Sequence, residues 1–101
     1  MHSSKNILEE AIKEHKIGNL QKAEILYRET ILTQPNNSDI YYLLGTNLVQ
    51  QKKYTDGIFF LEKYHQHKPD HVENLNTLGI ALLKNNQYEK GVLKLKEALK
   101  M

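Results

Sequence analysis

The sequence predicts an all-α chain built from stacked helix–turn–helix units, on three observations. First, residues recur at a spacing of 34: Pro35 with Pro69, Gly45 with Gly79, Tyr54 with Tyr88, Gly57 with Gly91, and Leu61 with Leu95. Leu44 and Leu48 return in the same way as Leu78 and Leu82. Second, the apolar residues inside each unit are three and four apart, as one face of a helix requires. Third, Gly and Asn fall between the apolar stretches, where a helix can end in left-handed backbone at low cost. A fixed period of this size marks a repeat array, in which each unit buries its apolar face against its neighbour.

The series extends backwards, with Ala11 before Gly45, Leu20 before Tyr54, Ala23 before Gly57 and Tyr27 before Leu61. The chain therefore reads as a single domain of three copies, about residues 4–37, 38–71 and 72–101, the last incomplete. Copy one turns at Gly18-Asn19. In copy two, Tyr41, Leu44, Gly45 and Leu48 form one helical face and Gln51-Lys52-Lys53 interrupts it. Ile58, Leu61 and His65 open a second face, which Pro69 stops because proline disfavours α backbone in the residue before it. Copy three repeats this with Leu75, Leu78, Gly79 and Leu82, a turn at Asn85-Asn86, and then Tyr88, Val92, Leu95 and Leu99. Lys52 is the least comfortable of the turn residues. Gly45 is expected to face Gly57, and Gly79 to face Gly91, with Ala11 and Ala23 in the same roles. A helical glycine costs about 1 kcal/mol relative to alanine. Close helix packing at these matched places would offset that cost.

Composition excludes several kinds of chemistry. The 101 residues include no cysteine, so disulfides, thiolate catalysis, zinc fingers and iron–sulfur clusters are ruled out. Fourteen basic and 12 acidic residues leave a net charge of +2. No apolar run approaches the ~20 residues of a membrane helix, so no membrane association is expected. Met1 to Asn6 are polar and do not read as a signal peptide, which makes a cytoplasmic location the expectation.

No catalytic or metal-binding constellation is present in the pattern. The histidines are His2, His15, His65, His67 and His71. His65 and His67 would project about 200° apart on a helix, and Pro69 separates His67 from His71. Ser3, Ser4 and Ser38 lack a nucleophile motif, and Glu10 with Glu14 reads as helix-surface charge. Lys84, Lys90, Lys94, Lys96 and Lys100 make the last unit basic, but Glu89 and Glu97 interleave with them and Arg28 is the single arginine. A solvated face, not a nucleic-acid surface, is expected, because arginine dominates base recognition. No cofactor and no metal are expected.

The two ends differ from the middle. Glu10 and Glu14 stand where copies two and three have Leu44, Leu78, Leu48 and Leu82. A polar first unit fits a terminal cap. In copy three, Val92, Leu93, Leu95 and Leu99 form an apolar stripe that Lys94, Lys96 and Lys100 cannot cover. Either further chain would follow it, or Val92, Leu95 and Leu99 would mediate homo-oligomerisation.

The pattern resembles the tetratricopeptide repeat family over about residues 4–101. Tyr41, Leu44-Gly45, Leu48, Tyr54, Gly57, Leu61 and Pro69 carry the resemblance, with their counterparts in copy three. Pentatricopeptide repeats, which read RNA, are close in length. The shared glycine, small-residue and proline pattern favours the tetratricopeptide assignment. Gly57 and Gly91 depart from the family's usual alanine, and Tyr64 from a usually small residue.

The resemblance implies a right-handed superhelical solenoid of about six antiparallel helices, with the first helix of each pair lining a concave side. The residues facing that side would be Lys5, Leu8, Ile12 and His15, then Asp39, Tyr42, Thr46 and Val49, then Glu73, Asn76, Ile80 and Leu83. Some family members clamp a partner's terminal carboxylate. The matching positions here hold Leu8, Ile12, Leu43, Glu73 and Thr77, which cannot supply that clamp. The expected function is a non-catalytic module that binds a peptide or partner protein on its concave face. Two rival readings are a substrate-recruiting arm of a larger glycosyltransferase- or sulfotransferase-type enzyme and a self-associating scaffold.

Overall fold

The computed structural model describes residues 4–101, with side chains from Asn6 onward. His2, Ser3 and the side chains of Ser4 and Lys5 lie outside the described residues. Six helices follow one another: α1 (Ser4–Lys16), α2 (Leu20–Thr33), α3 (Ser38–Gln50), α4 (Tyr54–His67), α5 (Val72–Lys84) and α6 (Tyr88–Leu99). Among the described residues there is no strand. The helices pair as α1/α2, α3/α4 and α5/α6, and each pair stacks on the next through α2 with α3 and α4 with α5. The result is an elongated all-α solenoid of 46 × 24 × 19 Å.

The turn inside each pair is built the same way. Gly18, Lys52 and Asn86 take left-handed backbone, with φ of 91°, 65° and 65°. The next N–H then reaches back five residues: Asn19 to the Glu14 carbonyl at 2.9 Å, Lys53 to Leu48 at 2.9 Å and Gln87 to Leu82 at 2.8 Å. These are Schellman closures, which satisfy carbonyls the helix end would leave bare. Lys52 pays the steric penalty of a Cβ in this region, about 1 kcal/mol. Between pairs, Asn37 caps α3 by accepting the Asp39 N–H, and His71 caps α5 by accepting the Asn74 N–H at its Nδ1.

Two apolar clusters run through the stack. Ala11, Ala23, Tyr27, Ile40, Leu44 and Leu48 form the first, and Ile58, Leu61, Leu78, Ala81 and Leu82 the second. The expected glycine facing is present. A Cβ on Gly57 would fall 3.2 Å from the Gly45 carbonyl, and one on Gly45 would fall 2.6 Å from Leu61 Cδ2. Gly79 and Gly91 repeat the arrangement, with Leu95 lying over Gly79.

Two expectations change, and the departure at Tyr64 finds its place. Glu14 does not decorate a solvated face: it is buried, accepts a 2.7 Å hydrogen bond from Asn19 Nδ2 and lies 3.5 Å from Lys22 Nζ. The Asn19 hydrogen bond and the Lys22 charge outweigh burial and hold its carboxyl below the usual range. Leu95 is half-buried over Gly79 inside its own pair, whereas Val92, Leu93 and Leu99 are exposed. Tyr64 is buried at the register that holds Thr30 and Ala98, and its ring is taken up by Tyr42 and His71.

Candidate functional site

Helix α3 touches α5 directly, and among the described residues no comparable contact joins α2 to α4 or α4 to α6. The side formed by the first helices α1, α3 and α5 is called the inner row below. Leu8 and Ile12 on α1 are half-buried against the first cluster. Tyr42 on α3 packs against the second cluster, and Thr46 on α3 is half-buried with its Oγ1 enclosed and unpartnered. Asp39, Glu73, Asn76 and Ile80 are exposed.

His15, Val49 and Leu83 share one register and reach the second helix of their own pair, His15 also reaching the next pair. Val49 Cγ2 would meet a Cβ on Gly57 at 2.8 Å, and Leu83 Cδ2 would meet one on Gly91 at 2.9 Å. His15 instead reaches Tyr27 Oη at 2.8 Å through Nδ1 and Gln50 Oε1 at 2.5 Å through Nε2. Burial raises the Tyr27 phenol to about 12.

At one end of the inner row three rings meet. Ring centroids are 4.8 Å apart for Tyr42 and His71, 5.1 Å for Tyr64 and His71, and 5.2 Å for Tyr42 and Tyr64. Burial raises the Tyr64 pKa, and the nearby charges of Asp39 and Glu73 add to the rise. Glu73 Oε2 stands 3.9 Å from His71 Nε2.

Sequence reasoning missed the polar ties between pairs. Asn47 is fully buried and donates to the Leu20 carbonyl at 3.0 Å; Asn74 is fully buried and donates to the Leu61 carbonyl at 3.1 Å. Glu24 Oε1 accepts from Gln51 Nε2 and Lys53 Nζ at 3.0 Å each, and Oε2 from Arg28 Nε at 2.9 Å. Burial opposes ionisation of Glu24, but these donors prevail and lower its pKa. A signal existed: Asn74 and Glu24 occupy registers that hold Ile40 and Ile58 in copy two. The outer face also carries Ile25, Phe59 and Leu93, each 34 residues from the next and all exposed. The period was the signal there too.

Among the described residues no helix is long and apolar enough to cross a membrane, and no group of His, Asp and Glu is placed to hold a metal ion. Stacked helical pairs with a separate inner row define a helical-repeat protein. Residues 16–98 match the family model described as anaphase-promoting complex, cyclosome, subunit 3, a tetratricopeptide-type repeat, and the chain belongs to that family. The fold is also that of MamA from Desulfovibrio magneticus RS-1, at a TM-score of 0.94 and 22% identity, covering 97% of this chain and 55% of that one. The Sgt2 tetratricopeptide domain from Aspergillus fumigatus superimposes at a TM-score of 0.84 and 14% identity, over 96% of this chain and 64% of that one. The chain thus spans about half the length of the MamA structure it resembles. No curated protein matches it in sequence.

Proposed function

We propose that the chain is a non-catalytic protein-interaction module that holds a peptide segment of a partner along its inner row. The carrying observation is the mixture of side chains there. Leu8, Ile12, Tyr42 and Ile80 offer apolar surface, while Asp39, Glu73 and Asn76 stand exposed beside them. Apolar contacts supply affinity to such a groove and a few polar groups fix orientation. A peptide-pool screen followed by calorimetry tests the reading. Ile80→Lys with Asn76→Arg should weaken a selected peptide by at least tenfold, and the outer-face variant Phe59→Ser should not. The reverse pattern, or turnover of any substrate by the chain alone, would sink it.

A second reading, self-association of two copies through α6, rests on one comparison. Ile58 is 7% exposed because α5 packs on it, whereas Val92 at the same register is 42% exposed and Leu99 on the same helix is 85% exposed. Light scattering should give a mass that rises with concentration for the wild type but not for Val92→Lys with Leu99→Lys. Leu95 is left unchanged because it packs on Gly79. A constant monomer mass in the wild type removes this reading.

A further inference from the structure

We infer that the inner row carries a subsite for a cationic side chain, so that the bound peptide presents a lysine or arginine to the Tyr42–Tyr64–His71 cluster. This inference rests on the inner-row reading above and adds the chemistry of the partner. Two independent features coincide at this place. One is the ring triangle, whose three centroids lie within 5.2 Å of one another. The other is the pair Asp39 and Glu73, in the first turns of α3 and α5 at equivalent repeat positions. Glu73 Oε2 stands 3.9 Å from His71 Nε2 in that triangle, and the Asp39 and Glu73 charges both act to raise the Tyr64 pKa. A carboxylate pair beside aromatic faces attracts a cation in two ways: by charge, and by the negative face of the half-buried Tyr42 and His71 rings, which Tyr64 backs.

Among the described residues the position has no lysine or arginine of its own. Among the described residues neither Asp39 nor Glu73 forms an ion pair with a lysine or arginine; the Glu73 partner is His71 at 3.9 Å. His71 does not serve as that cation in the capped state. Its Nδ1 accepts the Asn74 N–H at 3.1 Å, which requires a lone pair there and leaves the proton on Nε2. The outer face shows the contrast. Arg28 lies 5.6 Å from the Phe60 centroid, and Lys63 lies 5.2 Å and 5.8 Å from those of Phe59 and Tyr41. Phe59, Phe60 and Tyr41 are matched with cations from the chain itself, and among the described residues the inner cluster is not.

Acidic residues in a first helical turn also favour the helix dipole. That role accounts for a charge at each place. It does not account for Tyr64, a large ring at a register that holds Thr30 and Ala98 elsewhere, brought against Tyr42 and His71. The two explanations predict different results, since a dipole effect changes stability and leaves the choice of peptide alone.

The test uses the whole chain and four random octapeptide pools with one fixed central residue: lysine, arginine, norleucine or glutamate. Retention on the immobilised chain and then anisotropy titrations of selected members are measured at low and high salt. The lysine and arginine pools should bind at least tenfold tighter than the norleucine and glutamate pools, with a smaller advantage in high salt. Asp39→Asn with Glu73→Gln should remove that advantage while norleucine binding persists, and Tyr42→Leu should reduce it. Circular dichroism checks that each variant folds. Equal binding of all four pools overturns the cationic subsite and leaves the groove standing. A preference that survives the double variant also overturns it. No binding by any pool overturns the groove and the subsite together.

Discussion

The first and second helical pairs solve one packing problem with different chemistry. In the second pair, Gly45 and Gly57 face each other and the branched side chains of Leu61 and Val49 lie on them. In the first pair, Ala11 and Ala23 occupy the glycine places, Tyr27 replaces Leu61 and His15 replaces Val49. Tyr27 is fully buried, and its hydroxyl is matched to His15 at 2.8 Å. A repeat position is therefore a volume to fill and a set of polar atoms to satisfy. The glycine–leucine solution needs only shape. The alanine–tyrosine solution also needs a hydrogen bond, because a buried hydroxyl without a partner costs about 1–3 kcal/mol. His15 continues to Gln50 of the next pair, so the first solution ties two units together.

Four experiments would break or sharpen this comparison. The largest effect is expected from Leu61→Ala, which removes a fully buried side chain seated over Gly45 and should cost about 3–4 kcal/mol in urea unfolding. A loss under about 1 kcal/mol would mean that the second pair does not depend on this contact. Next comes Gly91→Ala in the third pair. Its Cβ would sit 2.9 Å from the Gly79 carbonyl oxygen, which belongs to the backbone and cannot swing away. Overpacking of about 1–3 kcal/mol should outweigh the propensity gain of about 1 kcal/mol, so the variant should be less stable than wild type. A stabilised variant would contradict the shape argument.

Alkaline pH probes the first pair. Burial raises the Tyr27 pKa to about 12, above its unfolded value of 10.0. Its contribution is full below pH 10.0 and is lost as pH rises towards 12. The loss over that window should be about 2 kcal/mol. Tyr64, also raised, acts in the same direction, so Tyr27→Phe should flatten the slope only in part. The same Tyr27→Phe variant at neutral pH gives the smallest effect, about 1 kcal/mol, through the hydrogen bond lost to His15. Glu14 and Glu24 act at the other end of the scale. Their depressed pKa values give stability that is present above 4.5 and lost as pH falls below it.

The helical pairs and their turns were legible in the sequence because each depends on neighbours within about five residues. The left-handed backbone at Gly18, Lys52 and Asn86 is such a local feature. The inner row was named from family resemblance and register. Of the residues named for it, Val49 and Leu83 lie over the glycine of the partner helix, and His15 is bonded to Tyr27 and Gln50. Asn47 and Asn74 read as surface residues by type, yet both are fully buried, because a carbonyl of the preceding pair waits where each amide points.

The sequence by itself determined six helices, their order, their turns and the residues that allow close approach. Backbone hydrogen bonds in a helix close within four residues, and a repeated pattern repeats that local answer. Only the tertiary structure decided which faces are covered. Ile58 and Val92 share a register and similar chemistry, but Ile58 lies under α5 and Val92 stands exposed. The ring cluster of Tyr42, Tyr64 and His71 is of the same kind. Its members come from α3, α4 and the cap of α5, and only the stacking of one pair on the next brings them within 5.2 Å. Burial and ring contact depend on where neighbouring helices lie, and that position is set by the packing of whole units.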